Sequence, residues 1–147
     1  MNLFDSIAIS ASALSAERQR TEIVAANLAN AETTHTEAGG PYRRREVVFQ
    51  SQGYGPQFSL VSDNANAGME PGGVRISQVV DDPTPPVMRY EPGNPDANKN
   101  GYVAYPAINP AMEMVDLMDA VRAYQMNASA VTAAKQMIQQ SIDILKS

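Results

Sequence analysis

The segment from Asp96 to Gly101 carries the clearest chemical pattern in the chain, an alternation of oxygen-bearing side chains. Asp96, Asn98, Asn100 and Gly101 match the first half of a calcium-binding loop, D-x-N-x-N-G. A complete loop also needs a carboxylate at its twelfth position, where this chain has Ala107. The pattern therefore favours a sharp Asn/Gly turn, and a small calcium-dependent binding module remains an alternative function.

Other residues that could support catalysis lack partners in the sequence. His35 is the single histidine, and no nearby residue suggests a metal site or a general base around it. Asp81 and Asp82 could form an acid–base pair, but acids that precede prolines are typical of solvated turns. The chain has no cysteine, which excludes a disulfide framework and a thiol nucleophile. We expect no enzymatic activity, no cofactor, no metal and no small-molecule substrate.

The charge distribution argues against nucleic acid as a partner. The formal net charge is −5 and the isoelectric point is about 4.7, whereas nucleic-acid-binding domains are usually basic. The one positive run, Arg43 to Arg45, is followed by Glu46. We expect these arginines to lie on a solvated strand face or to form salt bridges with acids of a neighbour. The N-terminus has no cationic segment followed by an apolar run, which predicts that it is not a conventional secretory signal.

A long apolar stripe marks the C-terminal end of the chain. Its ten positions alternate at spacings of three and four, which indicates a heptad seam on one helix from about Ala111 to Lys146. At ~1.5 Å per residue this helix is ~50 Å long, longer than the ~40 Å diameter of a compact domain of this size. The seam consists of Met114, Leu117, Val121, Tyr124, Ala128, Val131, Lys135, Ile138, Ile142 and Leu145.

A weaker stripe follows the N-terminal segment, on a helix predicted from about Leu3 to Asn30. Arg18 and Thr21 interrupt it. We expect the two helices to pair antiparallel, with Leu28 near Leu117 or Val121, and with Arg18 opposite residues 128–132. The apolar positions of this stripe are Phe4, Ile7, Ala11, Leu14, Ala25 and Leu28.

Between the helices lies an insert, residues 31–110, that holds all ten prolines and all nine glycines of the chain. The sequence pattern of this insert predicts short strands at 42–50, 57–61, 74–80, 87–90 and 102–105, with a loop at 63–73. Val74, Ile76 and Val80 are expected on one strand face. Asn109 before Pro110 is a typical start for the second helix. The predicted fold class is α+β: long terminal helices, 1–30 and 111–147, form an antiparallel coiled-coil-like layer, and 31–110 form an irregular β-rich insert.

The second helix is apolar on more than one side, and this predicts self-association. Residues such as Met112, Met118 and Met137 lie off the seam, so the helix needs cover that a chain of this length does not supply. A coiled-coil adaptor is an alternative to an assembly subunit.

Several motifs resemble those of the bacterial flagellar rod and hook axial proteins. The segment Val24–Asn30 contains Ala-Asn-Leu-Ala-Asn, which resembles the N-terminal signature of that family, with Asn27, Leu28, Ala29 and Asn30 as the helix-exit signature. Further motifs resemble a proximal rod member and occur in order along nearly the whole chain: 41–43, 47–49, 73–75, 85–86, 95–97, 101–103, 113–117 and 122–124.

The resemblance implies a structural subunit of the flagellar basal-body rod in the periplasmic space, which self-assembles through its terminal helices and transmits torque. It implies export by the flagellar type III export apparatus without a cleaved signal peptide. It also implies partners: other copies of the chain, neighbouring rod proteins, and components of the rod base and MS ring. The family has no catalytic residues to carry over. We expect both stripes to form the assembly interface.

Overall fold

The computed structural model describes residues 3–52 and 72–146. Along the chain it contains helix α1 (Leu3–Ala29), strands β1 (Arg45–Gln52), β2 (Gly73–Asp81), β3 (Val87–Tyr90) and β4 (Tyr102–Tyr105), and helix α2 (Pro110–Lys146). This order confirms the predicted α+β class with long terminal helices. The predicted strand at 57–61 and most of the predicted loop at 63–73 lie outside the described residues.

The two helices run antiparallel and differ in length. Asn27, near the end of α1, donates a hydrogen bond to Glu113, near the start of α2. The helices have 27 and 37 residues, or ~40 and ~55 Å at 1.5 Å per residue. Counted from the Asn27–Glu113 contact, Leu3 lies opposite residue ~137 of α2. Residues 139–146, all exposed, form the α2 overhang, which extends ~12 Å further.

Asparagine side chains mark one end of each helix. Asn109 Oδ1 accepts from the Ala111 amide at 3.0 Å, and this bond satisfies one of the unpaired donors at the start of α2. Asn30 directly follows α1, and its side-chain amide donates to the Ala26 carbonyl at 2.9 Å. Both residues use the capacity of asparagine to bond nearby main chain.

The first sheet is an antiparallel pair, β1 with β2, and it contains a β-bulge. Phe49 pairs with Ile76 and Val48 pairs with Gln78, so Ser77 is the extra residue. Because side chains alternate between faces and paired residues share one, the bulge places Val79 on the face of Ile76. The prediction that Val80 shares that face was therefore wrong. The strand bounds of β1 also differ, since β1 begins at Arg45 rather than at Tyr42.

The second sheet pairs β3 with β4, and the turn that leads into β4 explains the calcium-like pattern. Asn98 Oδ1 accepts from the amides of Asn100 and Tyr102, and Gly101 has a φ of +81°, a conformation that suits glycine. Val103 is fully buried. The Tyr90 and Tyr102 rings meet edge to face, with centroids 5.3 Å apart.

The core among the described residues is thin and built from small side chains. Its buried apolar members are Ala16, Val24, Val103, Ala120 and Ala134. Two polar side chains, Asn27 and Glu113, are also buried. None of the described helices combines the length and apolar character needed to cross a membrane.

The interhelical seam differs from the predicted one by a single position. On α2 the buried residues are Glu113, Ala120 and Ala134, whereas the expected Met114 and Val121 are 54% and 39% exposed. Alanine lets the two helix backbones approach more closely than methionine or valine does. The buried side therefore follows the small residues, and larger apolar residues on the adjacent side point outward.

The predicted pairing register was also wrong. Arg18 and Thr21 of α1 line one cavity with Val121 and Tyr124 of α2, so Arg18 does not lie opposite residues 128–132. Its guanidinium pairs with Glu22 one turn later on the same helix, at 3.1 Å. The hydrogen bond between Asn27 and Glu113 sets the register of the two helices. The spacing of apolar residues carries no information about this polar contact.

Candidate assembly interface

Asn27 is the centre of a buried polar cluster that joins both helices to the insert. Its side-chain amide donates to the Arg45 carbonyl at 2.8 Å and to Glu113 Oε2 at 3.2 Å. Its Oδ1 accepts from the Arg45 amide at 2.9 Å and from the Tyr42 hydroxyl at 3.1 Å. All four hydrogen-bonding positions of the asparagine side chain are used. The side chain bonds the Arg45 main chain as a neighbouring strand would.

Arg44 supplies the positive charge that Glu113 needs at its buried position. The Glu113 side chain is 1% exposed, and an unpaired carboxylate there would be strongly destabilising. Arg44 Nε donates to Glu113 Oε1, and the other guanidinium nitrogens contact Glu46 and Asp116. Burial of Arg44 lowers its pKa, but the hydrogen bonds and charges of Glu113 and Glu46 outweigh this and raise the pKa above its ordinary value. Arg44 is therefore charged throughout the physiological range.

The cluster fixes the orientation of the segment that enters β1. Arg45 Nε donates to the Tyr42 hydroxyl at 3.0 Å, and the Arg45 guanidinium lies 5.7 Å from the centre of the Tyr42 ring. We name Asn27, Tyr42, Arg44, Arg45 and Glu113 the polar node. Through it α1, α2 and the start of the first sheet are held in one arrangement.

A second contact holds the first sheet against α1. Ser12 Oγ accepts from the Val74 amide at 3.0 Å and donates to the Ile9 carbonyl at 2.7 Å. A Cβ atom added at Gly73 would lie 2.8 Å from Ser12 Oγ, so only glycine fits at this approach. The sheet is thus attached to α1 at both ends of β2, near Gly73 and near the Arg45 pairing with Asp81.

The side of α2 opposite its buried face carries an exposed apolar surface over the first half of the helix. With 3.6 residues per turn, Met118 lies nearly opposite Ala120 and Glu113 around the helix axis. Further along the same outer face the residues become polar, as at Gln125, Ser129 and Gln136. We name the apolar part the outer patch: Met112, Met114, Val115, Met118 and Met126, with exposures of 52–69%.

The predicted interface residues fall into three groups. Half-buried residues contribute to the contacts within the chain: Ile7, Leu14, Leu28, Leu117, Ala128, Val131 and Ile138. Other predicted residues are exposed. They are Phe4, Ala11 and Ala25 on α1, and Met114, Val121, Tyr124, Lys135, Ile142 and Leu145 on α2. In the helix-exit signature, Asn27 is buried, Ala29 is exposed, and Asn30 follows the helix. Their role in assembly stays a prediction.

The residues that could support catalysis or metal binding are not brought together into a site. Asp96 accepts a hydrogen bond from Thr34 at 2.6 Å, and His35 is exposed. Asp82 accepts from the Thr84 hydroxyl and amide, which lowers the pKa of Asp82 in a turn of the expected kind. Within residues 3–52 and 72–146, no three His, Cys, Asp or Glu side chains are placed to hold a metal ion.

The polar node was not predicted from the sequence. Asn27 was expected to act at the helix exit, yet it lies inside α1 and is fully buried. The arginines were expected on a solvated strand face or paired with acids of a neighbour, whereas Arg44 pairs with acids of its own chain. A signal was present: Glu113 interrupts an otherwise apolar or small-residue face, and a buried acid requires a partner.

Comparisons with known proteins agree with this architecture. A family model described as "Flagella basal body rod protein" matches residues 7–34, and one described as "Flagellar basal body rod FlgEFG protein C-terminal" matches residues 99–144. These matches cover most of α1 with the turn after it, and β4 with most of α2. The class defined by the two paired helices and by both models is that of the flagellar basal-body rod proteins.

Relatives that match over nearly their full length show which family within this class the chain belongs to. The chain is 39% identical to the flagellar basal-body rod protein FlgC of Bacillus subtilis, over 99% of this chain and 100% of that protein. It is 38% identical to FlgC of Yersinia enterocolitica and 34% identical to FlgC of Borreliella burgdorferi, over 98% and 99% of this chain and 96% and 99% of those proteins. The chain belongs to the FlgC family. It is a structural subunit of the flagellar rod, located in the basal body.

Proposed function

We propose that the chain self-assembles into the rod through its terminal helices and transmits torque along them. The observation that carries this proposal is the outer patch of α2, which exposes four methionines and one valine. Burial of a Met or Val side chain contributes about 1.5–3 kcal/mol. Exposed apolar surface of this extent is typical of a protein–protein contact.

The two parts of the chain would have different roles in the rod. In this proposal residues 1–30 and 111–147 form the helical inner layer, and residues 31–110 form an outer insert attached through the polar node. Neighbouring copies and other rod proteins would cover the helices, and the rod base and MS ring would lie at one end. We further propose that the flagellar type III apparatus exports the chain and that it has no enzymatic activity, as expected for a structural rod protein.

A charge placed on the outer patch tests the role of the helices. Met118→Asp introduces a carboxylate at a position 53% exposed in the single chain, so the isolated fold should be retained. In the rod that carboxylate would be buried without a partner, which is strongly destabilising. We expect a deletion strain that produces this variant to lose swimming and to lack the chain in purified basal bodies.

Gln136→Asp is the matched control for this substitution. Gln136 is exposed and lies about five helical turns after Met118, on the same side of α2. It carries the same new charge outside the outer patch. Normal swimming of the Met118→Asp strain, or equal loss of swimming with both variants, would contradict assembly through the outer patch.

A further inference from the structure

We propose that the methionines of the outer patch are an oxidation site, and that their conversion to methionine sulfoxide by a peroxide keeps the chain out of the rod. This inference rests on the proposed assembly through the outer patch, and it adds a chemical regulation of that same surface. The four methionines concerned are Met112, Met114, Met118 and Met126.

The outer patch concentrates accessible thioether sulfur on one stretch of α2. It holds four of the eight methionines of the chain, and these four are 53–69% exposed. Methionine is otherwise among the residue types that are most often buried. The chain has no cysteine, so no thiol of its own reacts with an oxidant before these thioethers do.

The reaction needs only the thioether and a peroxide. The sulfur lone pair attacks one oxygen of hydrogen peroxide, so that a sulfur–oxygen bond forms and the oxygen–oxygen bond breaks. Sulfur is oxidised and the peroxide is reduced, because its second oxygen leaves as hydroxide and takes the proton of the first to give water. A dithiol reductant reverses the step: its thiols form a disulfide and the sulfoxide oxygen leaves as water.

Oxidation should weaken the contact in the rod without unfolding the single chain. At exposures of 53–69% each sulfoxide oxygen stays hydrated in the single chain, so the helices and the polar node are retained. In the rod the same oxygen would be buried among apolar groups, and burial of an unpaired polar group is costly. Loss of the burial of one methionine side chain corresponds to a contact weaker by about tenfold.

Met88 is a methionine of similar accessibility outside the outer patch. It is 51% exposed, against 53% for Met118, so a peroxide reaches both side chains to a similar extent. Met88 lies on β3, in the insert that the proposed function places outside the helical layer. Its oxidation should therefore leave entry into the rod unchanged.

A competition inside one cell tests the proposal, because every other oxidised protein then affects both competitors equally. The wild-type chain is co-expressed with a fourfold variant in a strain that lacks its own copy and its methionine sulfoxide reductases. A hydrogen peroxide pulse is given, and catalase ends it before the other rod genes are induced. Leucine conserves the volume of methionine, so the variant carries Met112→Leu, Met114→Leu, Met118→Leu and Met126→Leu.

Mass spectrometry of purified basal bodies gives the ratio of the two chains. When nearly all of the wild-type chain carries a sulfoxide in the outer patch, we expect the ratio of wild type to variant to fall by about tenfold. In the control competition Met88→Leu replaces the fourfold variant, and the ratio should stay the same. An unchanged ratio with the fourfold variant, an equal fall in the control, or an outer patch without sulfoxide in the unassembled chain would overturn the proposal.

A second measurement needs no variant and decides the outcome if the fourfold variant does not enter rods even without peroxide. After the same pulse, sulfoxides in the outer patch of the wild-type chain should be depleted by about tenfold in basal bodies relative to the unassembled chain. Equal sulfoxide fractions in both pools would overturn the proposal. Absence of the untreated wild-type chain from basal bodies would instead contradict the proposed function.

Discussion

Replacement of Asn27 by alanine should destabilise the whole chain, because Asn27 links three parts of the fold. The substitution removes the partner of the Arg45 amide, the Arg45 carbonyl, the Tyr42 hydroxyl and one Glu113 oxygen. Asn27 and Glu113 are 0% and 1% exposed, so water reaches the vacated space poorly. Because these bonds join the three parts, their loss would loosen α1 from β1 and from the start of α2.

The expected loss can be estimated from these four bonds. A neutral hydrogen bond contributes about 0.5–1.5 kcal/mol, and one to a charged group about 1.5–3 kcal/mol. Because the Tyr42 and Arg45 groups lie at the edge of the cluster and recover some bonding to water, we expect a loss of about 3–5 kcal/mol. Small domains have total stabilities of about 5–15 kcal/mol, so about a fifth or more of the stability would disappear.

Chemical and thermal unfolding of the purified chain measure this loss. We expect a lower urea midpoint with an unchanged slope and a midpoint temperature lower by about 6–20 °C. Asn127→Ala is the control, since Asn127 donates to the Ala123 carbonyl of its own helix, and it should be close to neutral. A loss below about 1 kcal/mol for Asn27→Ala, or equal losses for both variants, would refute the central role of the polar node.

Three further predictions concern the insert and the helix exit. Gly73→Ala places its Cβ 2.8 Å from Ser12 Oγ and should lower the free energy of unfolding by about 1–3 kcal/mol. In a double-mutant cycle, combination with Ser12→Ala should recover part of this loss. Simple additivity of the two losses would contradict the clash. The pKa of Tyr105 is raised because its hydroxyl donates to Glu91. Neutral Tyr105 therefore stabilises the fold below its unfolded pKa of about 10, and this contribution is lost as the pH rises through the raised pKa. Tyr105→Phe should remove the corresponding fall in midpoint temperature at alkaline pH. A fall of the same size in the variant would contradict its assignment to Tyr105. Asn30→Val removes the bond to the Ala26 carbonyl and should cost about 1 kcal/mol, seen as faster hydrogen exchange at the end of α1; unchanged exchange would exclude the role.

Hydrophobic periodicity predicted the helices well because both are long and continuously patterned. It could not decide which side of α2 faces α1, since apolar residues surround the first half of that helix. Ala120 and Ala134 mark the contact, and they do so through their small size rather than their hydrophobicity. The seam was consequently placed one residue away, on the larger Met114 and Val121.

Polar contacts explain the remaining differences. The register of the helices depends on the bond from Asn27 to Glu113, between residues 86 positions apart, which no local pattern indicates. Likewise, the bulge at Ser77 moves Val80 to the opposite face of the sheet, although the local alternation of apolar residues predicts a regular strand. By contrast, local turn chemistry at Asn98 and Asn109 was predicted correctly because each side chain bonds main chain within four residues.

A density map of the intact rod, at a resolution that shows side chains, tests the central claim most directly. We expect the outer patch of α2 to be buried against helices of neighbouring subunits, with the polar node intact inside each copy. We also expect Met118 to be inaccessible to solvent in the rod. A map in which the copies contact one another through the β strands, with Met118 and the rest of the outer patch facing solvent, would contradict assembly through the helices.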